Sequence, residues 1–211
     1  MIQVFSTAEL LADGVARHVA GCAEEAISKT GRFTLALSGG STPRAAYSRL
    51  ATGDLADQID WQRTHVVWGD ERCVPPDDPR SNFRMAKEAL LRRVPIPADQ
   101  VHRIRGEDGH TASLFPGQPT VHETKRWVTA VLAPDRNLWR VTLTPPVINA
   151  ARNVTFVVSG TSKAAPLRQV LEGPYSPDLL PAQAIRPVHG RLTWMTDEAA
   201  AARLRTQRAS T

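Results

Sequence analysis

The segment Ser38-Gly39-Gly40-Ser41-Thr42 has the composition of a turn that binds phosphate. It follows a short apolar run at residues 33–37 and precedes Pro43, which suits the first position of a helix because it has no N–H to leave unpaired. We expect Thr42 to be the N-cap of that helix. The glycines allow an anion to approach the backbone, and the helix dipole attracts it. The candidate phosphate ligands are Ser38, Gly39, Gly40, Ser41 and Thr42. The alternative is an ordinary strand-to-helix turn that binds nothing.

A second segment repeats this plan. The apolar run at residues 153–158 ends in Ser159-Gly160-Thr161-Ser162-Lys163, and a predicted helix follows to about residue 171. A lysine in the first turn of a helix lies at the positive end of the dipole, where a cation is unfavourable. An anion held nearby would account for Lys163, and the alternative is a solvated lysine.

Charged residues also follow a predicted strand at residues 64–68. Asp70, Glu71 and Arg72 come two to four residues after its end, where open α/β sheets bind their ligands. Arginine forms paired hydrogen bonds to phosphate or carboxylate oxygens. The alternative is a plain surface ion pair.

His110 is the candidate general base among the six histidines. It lies next to a glycine and close to Asp108 in a segment rich in glycine and polar residues, and a free imidazole titrates near neutral pH. The chain has neither HExxH nor any other metal-ligand spacing, so we expect no metal site. It has no GxSxG elbow, which argues against a serine hydrolase.

The elements that must position these residues alternate between strands and helices. Helices are predicted at 6–30, from Pro43 onward, at 82–93 and after Lys163, and strands at 33–37, 64–68, 101–104, 127–132, 139–143, 153–158 and 192–195. This alternation predicts an α/β fold in one domain covering residues 1–211.

Bulk properties limit the partners. The net charge of +5 suits an anionic substrate, and basic and aromatic residues do not interleave as they do in nucleic-acid-binding proteins. The chain lacks an apolar run of about 18 residues and a signal-peptide pattern, so we predict a cytoplasmic protein with no membrane partner. The oligomeric state is not predicted.

Five motifs in order resemble the glucosamine-6-phosphate isomerase/6-phosphogluconolactonase family. They are SGGSTP at 38–43, GDER at 69–72 with SNFRMA at 81–86, DGHTASLFPG at 108–117, RVTLTPPVINAAR at 140–152 and VSGTSKA at 158–164. The resemblance implies a cofactor-free enzyme with a Rossmann-like α/β fold, built from a mostly parallel sheet flanked by helices. It implies that the Ser38–Thr42 turn and Lys163 hold a sugar phosphate and that His110 activates water. It further implies that Arg72 binds phosphate or developing negative charge, and that Asp70 or Asp108 orients its neighbours.

Within the family, the resemblance favours lactone hydrolysis over deamination. Members with deaminase activity usually carry an acidic residue after the histidine of the DGH motif, and here the loop reads DGHTASLFP. The expected reaction is hydrolysis of 6-phospho-D-glucono-1,5-lactone. The alternatives are a catalytically impaired phosphosugar-binding protein and an amino-sugar-phosphate isomerase/deaminase.

One departure concerns the segment before the DGH motif. Family members carry a further helix and strand there, whereas Gly106-Glu107 joins the two parts directly in this chain. Two outcomes are expected: either residues 101–104 substitute for the strand, or the sheet lacks one central strand and His110 is displaced.

Overall fold

A computed structural model describes residues 1–103, 113–133 and 138–205. These fall into two compact units. The terminal unit comprises Met1–Leu11, Leu114–Thr129 and Leu143–Thr211, and the central unit comprises Ala12–Ser113 and Ala130–Thr142. The expectation of one domain over residues 1–211 stays a prediction.

The terminal unit contains a parallel sheet of three strands. The strands are β1 (Ile2–Phe5), β7 (Asn153–Val158) and β8 (Arg191–Asp197), in the order β1-β8-β7. Helices α5 (Pro145–Asn149), α6 (Ala164–Glu172) and α7 (Glu198–Ala201) belong to the same unit. Its apolar core is built around Leu167, Trp194 and Ala200, and Phe156 stacks on Trp194 with ring centroids 4.1 Å apart.

The central unit contains a parallel pair of strands, β2 (Phe33–Leu37) and β3 (Thr64–Trp68). Most of α1 (Ala8–Thr30) packs here, together with α2 (Ser41–Leu50), α3 (Gly53–Ala56) and α4 (Asn82–Ala86), which continues as a π-helical turn over Lys87–Leu91. Leu37, Leu50, Val66 and Leu90 are fully buried in its core. Burying such side chains stabilises the fold by about 1.5–3 kcal/mol each.

A third sheet is antiparallel and has the order β4-β6-β5. Its strands are β4 (Asp70–Arg72), β5 (Val128–Ala133) and β6 (Leu138–Leu143). Asp70 pairs with Thr142, and Arg72 pairs with Arg140. Asp70, Glu71 and Arg72 follow the carboxyl end of β3, as predicted, and they also form a short strand in this separate sheet.

Most predicted elements are present. All of the predicted strands except residues 101–104 occur within two residues of their expected ends. The first helix begins at Ala8 instead of residue 6, because Thr7 Oγ1 accepts the Leu10 N–H at 3.2 Å. The prediction of an α/β fold with parallel strands and helices is confirmed.

Residues 101–103 do not substitute for a strand. Val101 makes one isolated parallel bridge to Val66, and the His102 N–H donates to the Val66 carbonyl at 2.8 Å. Ile104 lies outside the described residues. Among the strands that the structure describes, β2 pairs with β3 alone and β7 pairs with β8 alone.

No helix in the described ranges is long and apolar enough to cross a membrane.

Candidate functional site

The turn between β2 and α2 has a backbone that glycine favours. Gly40 is the N-cap of α2, with φ 108° and ψ 167°, a region in which side-chain-bearing residues are strained. The helix begins at Ser41, so the predictions of Thr42 as N-cap and Pro43 as the first helical residue were wrong. Pro43 is the third residue of α2, still within the first turn, where its missing N–H costs no hydrogen bond.

Backbone donors at this turn remain available. In the described part of the chain, the N–H groups of Gly40, Ser41 and Thr42 have no hydrogen-bond partner. Gly40 and Ser41 are exposed and Thr42 is half-buried. Such N–H groups at the start of a ten-residue helix form a site suited to an anion.

The Tyr47 side chain holds the start of the turn through two hydrogen bonds to the backbone of Ser38. Its hydroxyl accepts the Ser38 N–H at 2.7 Å and donates to the Ser38 carbonyl at 3.1 Å. Burial raises the pKa of the Tyr47 hydroxyl, so it stays neutral and keeps both bonds. One buried side chain therefore fixes the peptide from which the turn departs.

Asp70 and Asn82 hold the middle of the turn. Asp70 Oδ1 accepts the Gly39 N–H at 3.1 Å and the Asn82 side-chain amide at 2.6 Å. The same amide nitrogen donates to the Asp70 carbonyl at 2.7 Å. The turn is thereby fastened to β4 and to the start of α4.

Burial raises the pKa of the Asp70 carboxyl. The Gly39 hydrogen bond and the positive charges of Arg72 and Arg140 act in the opposite direction and do not cancel the burial effect. Asp70 Oδ2 lies 4.0 Å from Arg140 Nη1. The carboxyl thus has the turn on one oxygen and a guanidinium near the other.

Glu71 has a structural role. Its carboxylate accepts the N–H groups of Arg72, Asn82 and Phe83 and the hydroxyl of Ser81, at 2.7–2.9 Å. A carboxylate at the N-terminus of a helix satisfies donors that the helix leaves unpaired. Glu71 therefore anchors α4, which carries Asn82.

Arg72 points away from Glu71. Its Nη1 donates to the Arg80 carbonyl at 2.5 Å, and its buried Nε has no partner among the residues that the structure describes. Arg140, its cross-strand neighbour, donates to Ser113 Oγ at 3.2 Å, and the Ser113 N–H donates to Thr142 Oγ1 at 2.8 Å. Ser113 is the last residue of the central unit before the chain enters the terminal unit.

The second turn, in the terminal unit, resembles the first. Gly160 has φ 93° and ψ 154° and starts a 3-10 turn over Thr161–Lys163. Asp197 accepts the Gly160 N–H at 3.1 Å and the Ser159 hydroxyl at 2.5 Å, and it caps α7 through the Ala200 N–H. Burial alone would raise the pKa of Asp197, but these hydrogen bonds outweigh it and lower the pKa. Lys163 is exposed at the end of the 3-10 turn.

Two predicted site residues, Asp108 and His110, lie outside the described residues. In the part of the chain that is described, no group of three or more His, Cys, Asp or Glu side chains could hold a metal ion. Within the central unit, the Gly39 N–H donates to Asp70, and Arg72 lies two residues further along β4. Lys163 belongs to the terminal unit.

Sequence reasoning did not select Tyr47, Asn82 or Arg140. Asn82 and Arg140 each lie in a motif that carries the family resemblance, the segments 81–86 and 140–152, and that was the available signal. Tyr47 gives no such signal, because its role depends on how α2 packs and brings the Tyr47 hydroxyl to the backbone of Ser38.

The family model of glucosamine-6-phosphate isomerases/6-phosphogluconolactonase matches this chain over residues 6–107 and 105–194. A 6-phosphogluconolactonase from Nostoc sp. is 39% identical over 220 residues, covering 86% of this chain and 88% of the relative. One from Haemophilus influenzae is 34% identical over 200 residues, covering 79% and 85%. The solved 6-phosphogluconolactonase of Trypanosoma brucei is similar with a TM-score of 0.84 and 27% identity, covering 96% of this chain and 97% of that structure.

The family match comes in two segments that meet at residues 105–107. The family resemblance predicts a further helix and strand at this point, where Gly106-Glu107 joins the two parts directly. The break in the match therefore coincides with the predicted internal deletion.

Proposed function

Because the chain belongs to the glucosamine-6-phosphate isomerase/6-phosphogluconolactonase family, we propose that it hydrolyses 6-phospho-D-glucono-1,5-lactone to 6-phospho-D-gluconate, a step of the oxidative pentose phosphate pathway. The substrate combines a phosphate with a reactive ester. The Nostoc and Haemophilus relatives, at 39% and 34% identity, carry the name of this activity. The cytoplasmic location stays a prediction.

The observation that carries the proposal is the built turn at Ser38–Thr42. A phosphate there would receive hydrogen bonds from the N–H groups of Gly40, Ser41 and Thr42. Tyr47 and Asp70 hold this backbone before any ligand arrives, so little conformational freedom remains to be lost on binding. Binding the remote phosphate would position the lactone ester for attack.

The remaining roles follow from the family motifs. His110 acts as the general base that removes a proton from the attacking water, and Asp108 orients it. Arg72 stabilises negative charge on the substrate, and Lys163 is a further phosphate ligand. Asp70 acts by orienting the turn through Gly39 and the guanidinium of Arg140.

The test is the rate of 6-phosphogluconolactone hydrolysis by the purified chain, with the uncatalysed rate subtracted. We expect clear acceleration, and we expect His110→Ala to remove most turnover while 6-phosphogluconate still binds. Turnover that His110→Ala leaves unchanged would remove His110 from the mechanism. Release of ammonia from glucosamine 6-phosphate, with no lactone hydrolysis, would assign the chain to the deaminases instead.

A second candidate function is phosphosugar binding without catalysis. It is favoured by one observation, the break in the family match at residues 105–107, just before Asp108 and His110. It predicts that a cooperatively folded chain binds 6-phosphogluconate and does not accelerate hydrolysis of the lactone. An accelerated rate excludes it.

A further inference from the structure

One edge of the β2–β3 pair is open in the middle. In a parallel ladder the N–H and C=O groups of one residue point to the same side, and that side alternates along the strand. The Gly69 N–H donates to the Leu37 carbonyl, so Leu37 and Leu35 face β3. Thr34 and Ala36 therefore direct their backbone groups away from β3. In the part of the chain that the structure describes, these groups have no backbone partner, and both residues are exposed.

Side chains cap the two ends of this open edge. At one end, the Arg32 carbonyl accepts the Thr30 hydroxyl at 3.0 Å. At the other end, the Tyr47 hydroxyl bonds both the N–H and the C=O of Ser38. By the same alternation, Arg32 and Ser38 lie on the side that faces away from β3. The open stretch is thus the two residues between these caps, the length over which a short strand can pair.

The residues of β2 are typical of a strand inside a sheet. Exposed edge strands usually carry a lysine, a proline or a bulge that discourages further pairing. The sequence of β2, FTLAL, has no charged residue and no proline. Near-continuous apolar runs of this kind are typical of parallel strands in a covered sheet. The edge of β2 is therefore suited to a further strand.

Relatives carry residues that this chain lacks. The match to the Nostoc relative spans 220 positions but covers 86% of a chain of 211 residues, so the relative has residues with no counterpart here. The family match breaks at residues 105–107, where the resemblance predicts a helix and a strand. Among the described strands, none other than β3 pairs with β2. A second copy of this chain lacks the same residues, so it cannot supply them.

We infer that the open edge of β2 docks an extended strand supplied by a different polypeptide. The docked strand forms backbone hydrogen bonds with the N–H and C=O groups of Thr34 and Ala36, as in other cases of β-strand addition. Its side chains opposite these two residues are uncharged, because neither residue offers a partner for a charge. This docking does not depend on the proposed hydrolysis.

Hydrogen exchange with a strand peptide tests the inference. The probe is a synthetic peptide that spans the residues of the Nostoc relative at the break in the family match. We expect saturating peptide to slow exchange of the Thr34 and Ala36 amides about tenfold or more, because exchange then requires the docked strand to open. The Leu35 amide, which faces β3, should change little. Unchanged exchange at both Thr34 and Ala36 overturns the inference.

Ala36→Pro closes the edge without removing the hydrogen bonds to β3, which come from Leu35 and Leu37. Proline has no N–H, and it is tolerated in a strand where that group would face outward. We expect this variant to bind the labelled peptide about tenfold or more weakly, measured by fluorescence anisotropy. Thr34→Val keeps both backbone groups of its residue and is the matched control, with a change of less than about twofold. Equal affinities of wild type and Ala36→Pro overturn the inference.

Two further measurements keep the test decisive. If Ala36→Pro does not fold, Thr34→Pro removes the other outward N–H and is titrated in its place. Sedimentation without peptide tests a second copy as the occupant. We expect wild type and the proline variant to have the same mass. A wild type that dimerises, with a proline variant that stays monomeric, would assign the edge to a second copy and overturn the inference.

Discussion

The side-chain amide of Asn82 occupies the space that a β-carbon on Gly39 would need. A Cβ built at Gly39 would lie 1.9 Å from Asn82 Oδ1, well inside any allowed contact. The same amide holds Asp70, which in turn accepts the Gly39 N–H. The absence of a side chain at residue 39 is therefore what lets the turn dock against α4.

Gly39→Ala should destabilise the chain, because Asn82 must move and release Asp70. We expect a loss of about 1–3 kcal/mol in the free energy of unfolding, typical of overpacking, measured by denaturant titration. Gly21→Ala is the control, since a Cβ there meets nothing within 4 Å and Gly21 lies inside α1. It should be neutral or stabilising by up to about 1 kcal/mol. Equal stabilities of the two variants would contradict the docking.

Glu71→Gln should destabilise the chain even though Glu71 has no role in the proposed chemistry. The amide NH₂ of glutamine would face donors that now meet a carboxylate oxygen, at the start of α4. We expect a loss of about 2–4 kcal/mol. Glu88→Gln, which breaks the exposed pair of Glu88 with Arg84, should cost less than about 1 kcal/mol. Denaturation midpoints measure both, and a Glu71→Gln protein as stable as Glu88→Gln would remove Glu71 from its anchoring role.

The sequence predicts the strands and the glycine-containing turn after β2 well, because apolar runs and Ser-Gly turns are local signals. It predicts less about what supports the turn. Glu71 and Arg72 are adjacent in one charged motif, and the sequence does not show that their roles differ. In the structure, Glu71 binds the start of α4, whereas Arg72 lies opposite Arg140 in the β4–β6 pair. Tyr47 is nine residues from its partner Ser38, so its role depends on tertiary contact.

Tyr47→Phe tests the hydrogen bonds between the Tyr47 hydroxyl and the Ser38 backbone, and its effect on the free energy of unfolding should depend on pH. At pH 7 the loss of a hydroxyl with two backbone partners should cost about 1–3 kcal/mol. Because burial raises the pKa of Tyr47, the contribution of the hydroxyl is complete below the unfolded pKa of about 10 and decreases as pH rises toward the folded value.

The stability difference between wild type and Tyr47→Phe should therefore be constant from pH 7 to about 9 and narrow above about 10. Denaturant titrations at several pH values measure this difference. A difference that already narrows near pH 8, or one that never narrows, would show that Tyr47 is not buried as a neutral hydroxyl.

Lys163→Met tests the proposed phosphate ligand of the second turn. We expect KM for the phosphorylated lactone to rise about tenfold or more while kcat changes little, since the lysine would bind substrate and transition state alike. Lys125→Met, which removes an exposed lysine from the same unit, is the control and should leave KM unchanged. A rise in KM shared by both variants would indicate only a general effect of charge.

The central claim is that the Ser38–Thr42 turn selects a phosphorylated lactone. The most direct measurement compares kcat/KM of the wild-type chain for 6-phosphogluconolactone and for unphosphorylated gluconolactone, with both spontaneous rates subtracted. The account predicts a preference for the phosphorylated lactone of about a hundredfold or more, the scale expected from several hydrogen bonds to a charged group. Equal kcat/KM values for the two lactones would contradict it.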